Sequence, residues 1–204
     1  MPQPISTQRE PSPFFLERAR QLAARDPARD GERVELLEGD ARAVPLPDGS
    51  VDVVVFYTTL CHVPGPERAL TEAHRVLRPG GVLAAFDGDY ATPTCALGDA
   101  DPLQACIDAS VEFLVHDRWL ARRLPALATA AGFAVEDERS HGYVEAPTAR
   151  PYFLALVDRG ADLLVHAGRA GPELAAALKA EARRRSEAGT FFGHIAYASV
   201  IARR

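Results

Sequence analysis

The tightest constraint on this chain is Val51-Asp52-Val53-Val54-Val55-Phe56-Tyr57, an almost unbroken run of β-branched and aromatic side chains. Such a run marks a strand buried on both faces, and strands of that kind belong to helix-covered parallel sheets. The flanking segments agree. Pro66 opens a helix with Ala69, Leu70, Ala73, Val76 and Leu77 on one apolar face. Arg78-Pro79-Gly80-Gly81 stops it, and Val82 to Phe86 supplies the next buried strand. Upstream, Val34 to Glu38 alternates and ends at Gly39-Asp40, a shorter strand. Two βα alternations with short loops specify an α/β fold on a mostly parallel sheet. Right-handed crossovers put the three strands side by side in chain order.

The remaining segments are read in the same way. Residues 1–11 carry Pro2, Pro4 and Pro11 with no apolar periodicity and are expected to be irregular. Ser12-Pro13 reads as a helix start, with Phe15, Ala19 and Leu22 at helical spacing over 13–25. The second half predicts helices at 102–113, 117–131, 152–167 and 172–187, with Gly132 ending the second of these. Strands are expected at 133–144, broken at His141-Gly142, and at 191–202. Joined through a long helical stretch, they fit an antiparallel pair at the sheet edge.

Composition removes several classes of function. A chain of 204 residues, 47% hydrophobic and 25% charged, suits one globular domain spanning 1–204. No window approaches 18 consecutive apolar residues, so no membrane association is expected. The start shows neither a basic region nor an apolar stretch of secretory type, which makes the cytoplasm the expected location. Cys61, Cys95 and Cys106 form no CxxC pair and read as reduced, buried, small hydrophobes. A net charge of −5 argues against a nucleic-acid partner. No metal is expected: Asp87 and Asp89 have no accompanying histidine cluster and read as a strand-end turn. His141, His166 and His194 read as structural. The chain also lacks the GxGxxG of nicotinamide dehydrogenases, the GxSxG elbow of hydrolases and a P-loop.

In an open parallel sheet, ligands bind where loops leave the carboxyl ends of the strands. The loops at Glu10-Pro11-Ser12-Pro13, Gly39-Asp40-Ala41, Tyr57 to His62 and Asp87 to Tyr90 should open on one rim. A carboxylate at such a position accepts hydrogen bonds from a ribose diol or a nucleobase amino group. Three blocks sharpen this: Glu38-Gly39-Asp40-Ala41, Leu46-Pro47-Asp48-Gly49-Ser50-Val51-Asp52 and Leu77-Arg78-Pro79-Gly80-Gly81. Their order and spacing resemble the class I S-adenosylmethionine-dependent methyltransferases of the ubiquinone-biosynthesis-like, small-molecule type, over roughly residues 9–90.

The resemblance implies a Rossmann-like sheet with helices on both faces, S-adenosylmethionine as cofactor and a small organic metabolite as methyl acceptor. It implies that Glu10 holds the ribose diol, and that Asp40 accepts from the adenine amino group beside Gly39 and Ala41. Tyr57 and Thr58 are implied to line the methionine side, with His62 near the transferred methyl group. The helical segments 91–130 and 150–188, with Trp119, Phe113, Tyr152 and Phe153, are expected on the acceptor side. Each residue has a plainer reading: Glu10 a solvated charge, Asp40 a turn cap, His62 a loop histidine bonded to backbone.

One departure is large. The family pattern opens with a strand and a GxGxG turn, and this chain has no GxG anywhere. The missing first strand leaves an apolar groove beside 51–57 with unpaired backbone groups. The expectation is that the natural protein starts further upstream. The alternative is a truncated or degenerate relative that binds no cofactor and acts as a binding or scaffold partner. Oligomeric state is not legible.

Overall fold

The computed structural model describes residues 6–9, 17, 19–21, 34–145 and 151–204. Its six strands are β1 (Ser6–Arg9), β2 (Val34–Leu37), β3 (Val51–Tyr57), β4 (Leu77–Thr94), β5 (Ala134–Val144) and β6 (His194–Arg203). The α-helices with defined bounds among the described residues are α1 (Pro66–Val76), α2 (Gln104–Leu114), α3 (Leu120–Ala130), α4 (Tyr152–His166) and α5 (Pro172–Glu187). Each helix matches a segment expected from periodicity. Of the helix expected at 13–25, Glu17, Ala19, Arg20 and Gln21 are described and helical.

Four strands form one mixed sheet in the order β3-β4-β6-β5. β3 and β4 run parallel, and β6 is antiparallel to both β4 and β5, which makes the expected antiparallel C-terminal pair. Val54 and Phe56 of β3, Leu83 and Ala85 of β4, and Val200 and Ala202 of β6 share one core with Leu70 and Ala73 of α1 and Leu124 and Ala128 of α3. The helix starts and stops follow local chemistry. α1 has Pro66 in its first turn beside Glu67, with His74 and Arg75 in its last, the charge order the helix dipole favours. Gly132, at φ +99°, carries the turn that ends α3, where the Phe133 N–H donates to the Ala128 carbonyl at 3.1 Å. No helix among the described residues is long and apolar enough to cross a membrane.

The structure corrects five expectations. Ser6–Arg9 is a strand, parallel to β2 with Ser6 opposite Val34 and Arg9 opposite Leu37. The prolines that suggested irregularity all fall outside these four paired residues. β2 does not lie beside β3 but pairs with β1 in a separate two-stranded sheet. The stretch between β2 and β3 is instead pinned along α1, where Arg75 donates to the carbonyls of Val44 and Leu46 and Glu72 accepts the Val44 N–H.

β3 is buried on one side only: Val53, Val55 and Tyr57 are 53%, 63% and 68% exposed. Nothing among the described residues covers that side, and β4 is the sole strand paired to β3 there. The strand expected at 82–86 runs from Leu77 to Thr94, because its pairing with β6 continues as far as Thr94 opposite His194. β5 is not broken at His141-Gly142, which sit opposite Tyr197 and Ala196 in a ladder continuous from Asp137 to Val144; its one register shift lies earlier, between Val135 and Asp137.

Candidate active site

The parallel ladder of β3 and β4 ends at Tyr57, the last residue of β3, and Phe86, which are paired and stack with ring centroids 5.1 Å apart. The next residue, Thr58, donates its N–H to the Phe86 carbonyl at 2.7 Å with φ at +48°. Left-handed backbone is unfavourable for a β-branched residue, and strain of this kind concentrates at functional sites. It turns the chain sharply off the strand into a one-turn 3-10 helix, Leu60–His62.

That turn is fixed from two directions. Asp87, 1% exposed, accepts the Cys61 N–H on Oδ2 at 3.1 Å and the Gly88 N–H on Oδ1 at 2.9 Å. The Asp117 N–H donates to the Cys61 carbonyl at 2.9 Å. Leu60 and Cys61 are fully buried and His62 is exposed. A carbonyl only accepts, so the 2.9 Å contact between His62 Nδ1 and the Leu114 carbonyl places the proton on Nδ1. In the neutral ring this leaves the Nε2 lone pair free to act as a base. His62 thus bonds backbone, as its plainer reading held, in the tautomer that proton transfer requires.

Asp40 lies after β2 with Gly39 and Ala41 half-buried around it. Its carboxylate is filled from within the chain. Oδ1 accepts the Arg42 N–H at 2.8 Å and Arg42 Nε at 3.0 Å, while Oδ2 accepts a terminal guanidinium nitrogen at 2.7 Å. Arg42 holds the carboxyl well below its usual range, at about 2. The same guanidinium donates to the Pro64 carbonyl at 3.0 Å, two residues past His62. Tyr57, Thr58 and His62 therefore share one turn, and Arg42 ties Asp40 to its far end. Glu10 lies outside the described residues.

Around this turn, Tyr90 is buried and Tyr152 half-buried, whereas Phe113 and Trp119 are 44% and 48% exposed. Phe153, expected to line an acceptor pocket, is fully buried in the core instead. Asp89 accepts from Arg122 at 2.8 Å and from the Ala91 N–H; Asp87 and Asp89 were expected at a strand-end turn but lie within β4, opposite Ala198 and Ala196, because the pairing with β6 continues past them. Burial pushes the Cys95 and Cys106 thiols up to about 12 and about 11, and Cys61 higher still, which makes all three inert as nucleophiles. Sequence reasoning missed Arg42 and the anchoring role of Asp87. An acidic residue closing an apolar strand was the visible signal for Asp87. An arginine two residues from an aspartate carries no such signal.

The strain at Thr58 has a measurable consequence. Thr58→Gly keeps the N–H bond to Phe86 and removes a conformational cost on the order of 1–3 kcal/mol, against about 0.5–1 kcal/mol of extra unfolded-state entropy. Urea denaturation is expected to show a net gain of about 1 kcal/mol; an unchanged or lower midpoint would disprove the strain.

The comparisons with known proteins bear on this arrangement. Residues 6–85 match the family model described as a methyltransferase domain. In sequence the chain is similar to S-adenosylmethionine-dependent methyltransferases over that part of its length. Among its relatives is the ubiquinone/menaquinone biosynthesis C-methyltransferase UbiE of Methylobacterium nodulans, 51% identical over 49 residues, 24% of this chain and 19% of that protein. An uncharacterised 37.1 kDa protein in transposon TN4556 of Streptomyces fradiae is 37% identical over 121 residues, 59% of this chain and 34% of that one. The chain thus spans about a third or less of the length of these curated relatives. The fold is shared with a Bacillus halodurans C-125 crystal structure titled as a methyltransferase, at TM-score 0.63 and 18% identity, covering 97% of this chain and 81% of that one.

The methyltransferase blocks now have a physical meaning. Asp48 and Asp52 of the second block pair with Arg75 in the last turn of α1 and Arg78 at the start of β4. The Gly49 and Ser50 N–H groups donate to the Arg75 and Val76 carbonyls at 3.0 and 2.8 Å. The second and third blocks are therefore two sides of one contact that sets where β3 begins.

Proposed function

We propose that the protein transfers a methyl group from S-adenosylmethionine to a small organic acceptor in the cytoplasm. The observation that carries this reading is the His62 turn, with its strained entry at Thr58, its buried Asp87 anchor and its fixed tautomer. It stands at the carboxyl end of β3, where its parallel pairing with β4 stops, and ligands of such sheets bind at strand carboxyl ends. The residues present suit the cofactor. Asp40 offers an acceptor-only carboxylate for the adenine amino group beside Gly39 and Ala41, and Tyr57 and Thr58 border the methionine side. When bound, the cofactor supplies an activated methyl carbon on a sulfonium. The chain's own work is alignment and exclusion of water. His62 Nε2 takes the proton that an acceptor hydroxyl or amine must lose.

Calorimetry with S-adenosylhomocysteine tests this. Binding tighter than 1 mM, better than about −4 kcal/mol, is expected. Weaker binding or none sinks the reading. It would favour instead a fold relative that binds no cofactor and serves as a binding partner, a view that the filled Asp40 carboxylate supports.

A further inference from the structure

The least expected feature of the site is that Asp40 already has a partner, and the partner presents the same chemistry as a nucleobase amino group. We propose that Arg42 competes with the adenine amino group for the Asp40 carboxylate and so sets how tightly this chain binds its cofactor. The proposal rests on the methyl-transfer reading above.

A carboxylate has about four lone-pair directions. Arg42 occupies them with its backbone N–H, Nε and a terminal nitrogen, reaching both oxygens at 2.7–3.1 Å. An arriving N–H donor must share or displace one of these. Displacement is cheap. The Arg42 and Asp40 side chains are 30% and 45% exposed, and pairs at such sites contribute little because water competes for both groups. Arg42 is therefore a moderate competitor that lowers affinity without abolishing it. Arg68 adds positive potential at the same carboxylate.

The second hydrogen bond extends the consequence. Arg42 also donates to the Pro64 carbonyl, and Pro64 lies between His62 and Gly65, the residue preceding α1 with φ +71°. Moving the guanidinium off Asp40 disturbs the one observed bond between the Asp40 loop and the end of the His62 turn. Occupancy at the adenine end thereby reaches the segment that carries the proposed base.

Calorimetry with S-adenosylhomocysteine on the wild type, Arg42→Gln, Asp40→Asn and the double variant decides this. Arg42→Gln is expected to bind about five-fold tighter, and the gain should vanish in the Asp40→Asn background. Added salt screens the clamp and should tighten wild-type binding while leaving Arg42→Gln unmoved. Without any ligand, carboxyl NMR should show the Asp40 midpoint rising from about 2 toward the ordinary aspartate value in Arg42→Gln. Wild-type binding with an unchanged or weaker Arg42→Gln overturns the competition and leaves the methyltransferase reading intact. Absence of binding in every variant overturns both. An unmoved carboxyl midpoint shows that the clamp does not exist in solution.

Discussion

Gly160→Ala is expected to destabilise the protein by about 3 kcal/mol or more, a large share of the 5–15 kcal/mol that holds a domain together. A methyl group added at Gly160, in α4, would lie 1.8 Å from the Cys106 carbonyl oxygen and 2.5 Å from its carbon, in α2. Backbone cannot swing aside as a flexible side chain does, so the two helices must separate. Intrinsic propensity acts in the opposite direction, because alanine is the better helix former by about 1 kcal/mol. The sign of the change is thus decisive. A lowered urea midpoint at constant m confirms the close crossing; a neutral or stabilised variant shows that α2 and α4 do not touch there.

Arg185→Met is the second substitution with a large expected effect, about 3 kcal/mol at neutral pH, since it leaves a buried carboxylate without its counter-charge. Asp101 and Arg185 pair at 2.6 Å with side chains 6% and 12% exposed, joining the segment before α2 to α5. Asp101 also accepts the Leu97 and Leu103 N–H groups at 3.0 and 3.1 Å. Burial pushes its pKa up, but Arg185 and the two N–H groups outweigh that and hold it below the ordinary value. A lowered folded-state pKa gives stability that is present above the unfolded aspartate pKa and is lost as pH falls through the folded one. In the variant burial prevails, the carboxyl protonates at higher pH, and the harm shrinks in acid. Urea unfolding at pH 7 and pH 3.5 should show a gap between wild type and variant that narrows at the lower pH. An equal gap at both would mean that packing, and not charge, accounts for the loss.

The helices were legible because apolar spacing and end signals are local. Pro66, Pro172 and Gly132 each mark a boundary that the structure keeps. The site was legible in part for the same reason. Tyr57, Thr58 and His62 are close in sequence, so placing one strand end places all three. Asp40 was legible as a strand-end carboxylate, but its partner was not, because nothing in a pattern says which neighbouring cation folds back on it. Phe153 was misjudged because an aromatic in an amphipathic helix looks alike whether it faces a pocket or the core. The exposure of Val53, Val55 and Tyr57 on one side of β3 was hidden too. A run such as VDVVVFY records that a strand is apolar, and covering it depends on what packs nearby.

The amino-acid sequence by itself determined the helices, the strands from Val34 onward, the antiparallel C-terminal pair and the resemblance to methyltransferases, all of which are written in local composition and short-range spacing. Tertiary structure alone decided that β2 pairs with β1 and not β3, that Asp87 anchors the His62 turn, and that Arg42 occupies Asp40. The division has one cause: hydrogen bonds and ion pairs between residues distant in the chain, or folded back on themselves, depend on three-dimensional proximity, and no periodicity encodes that.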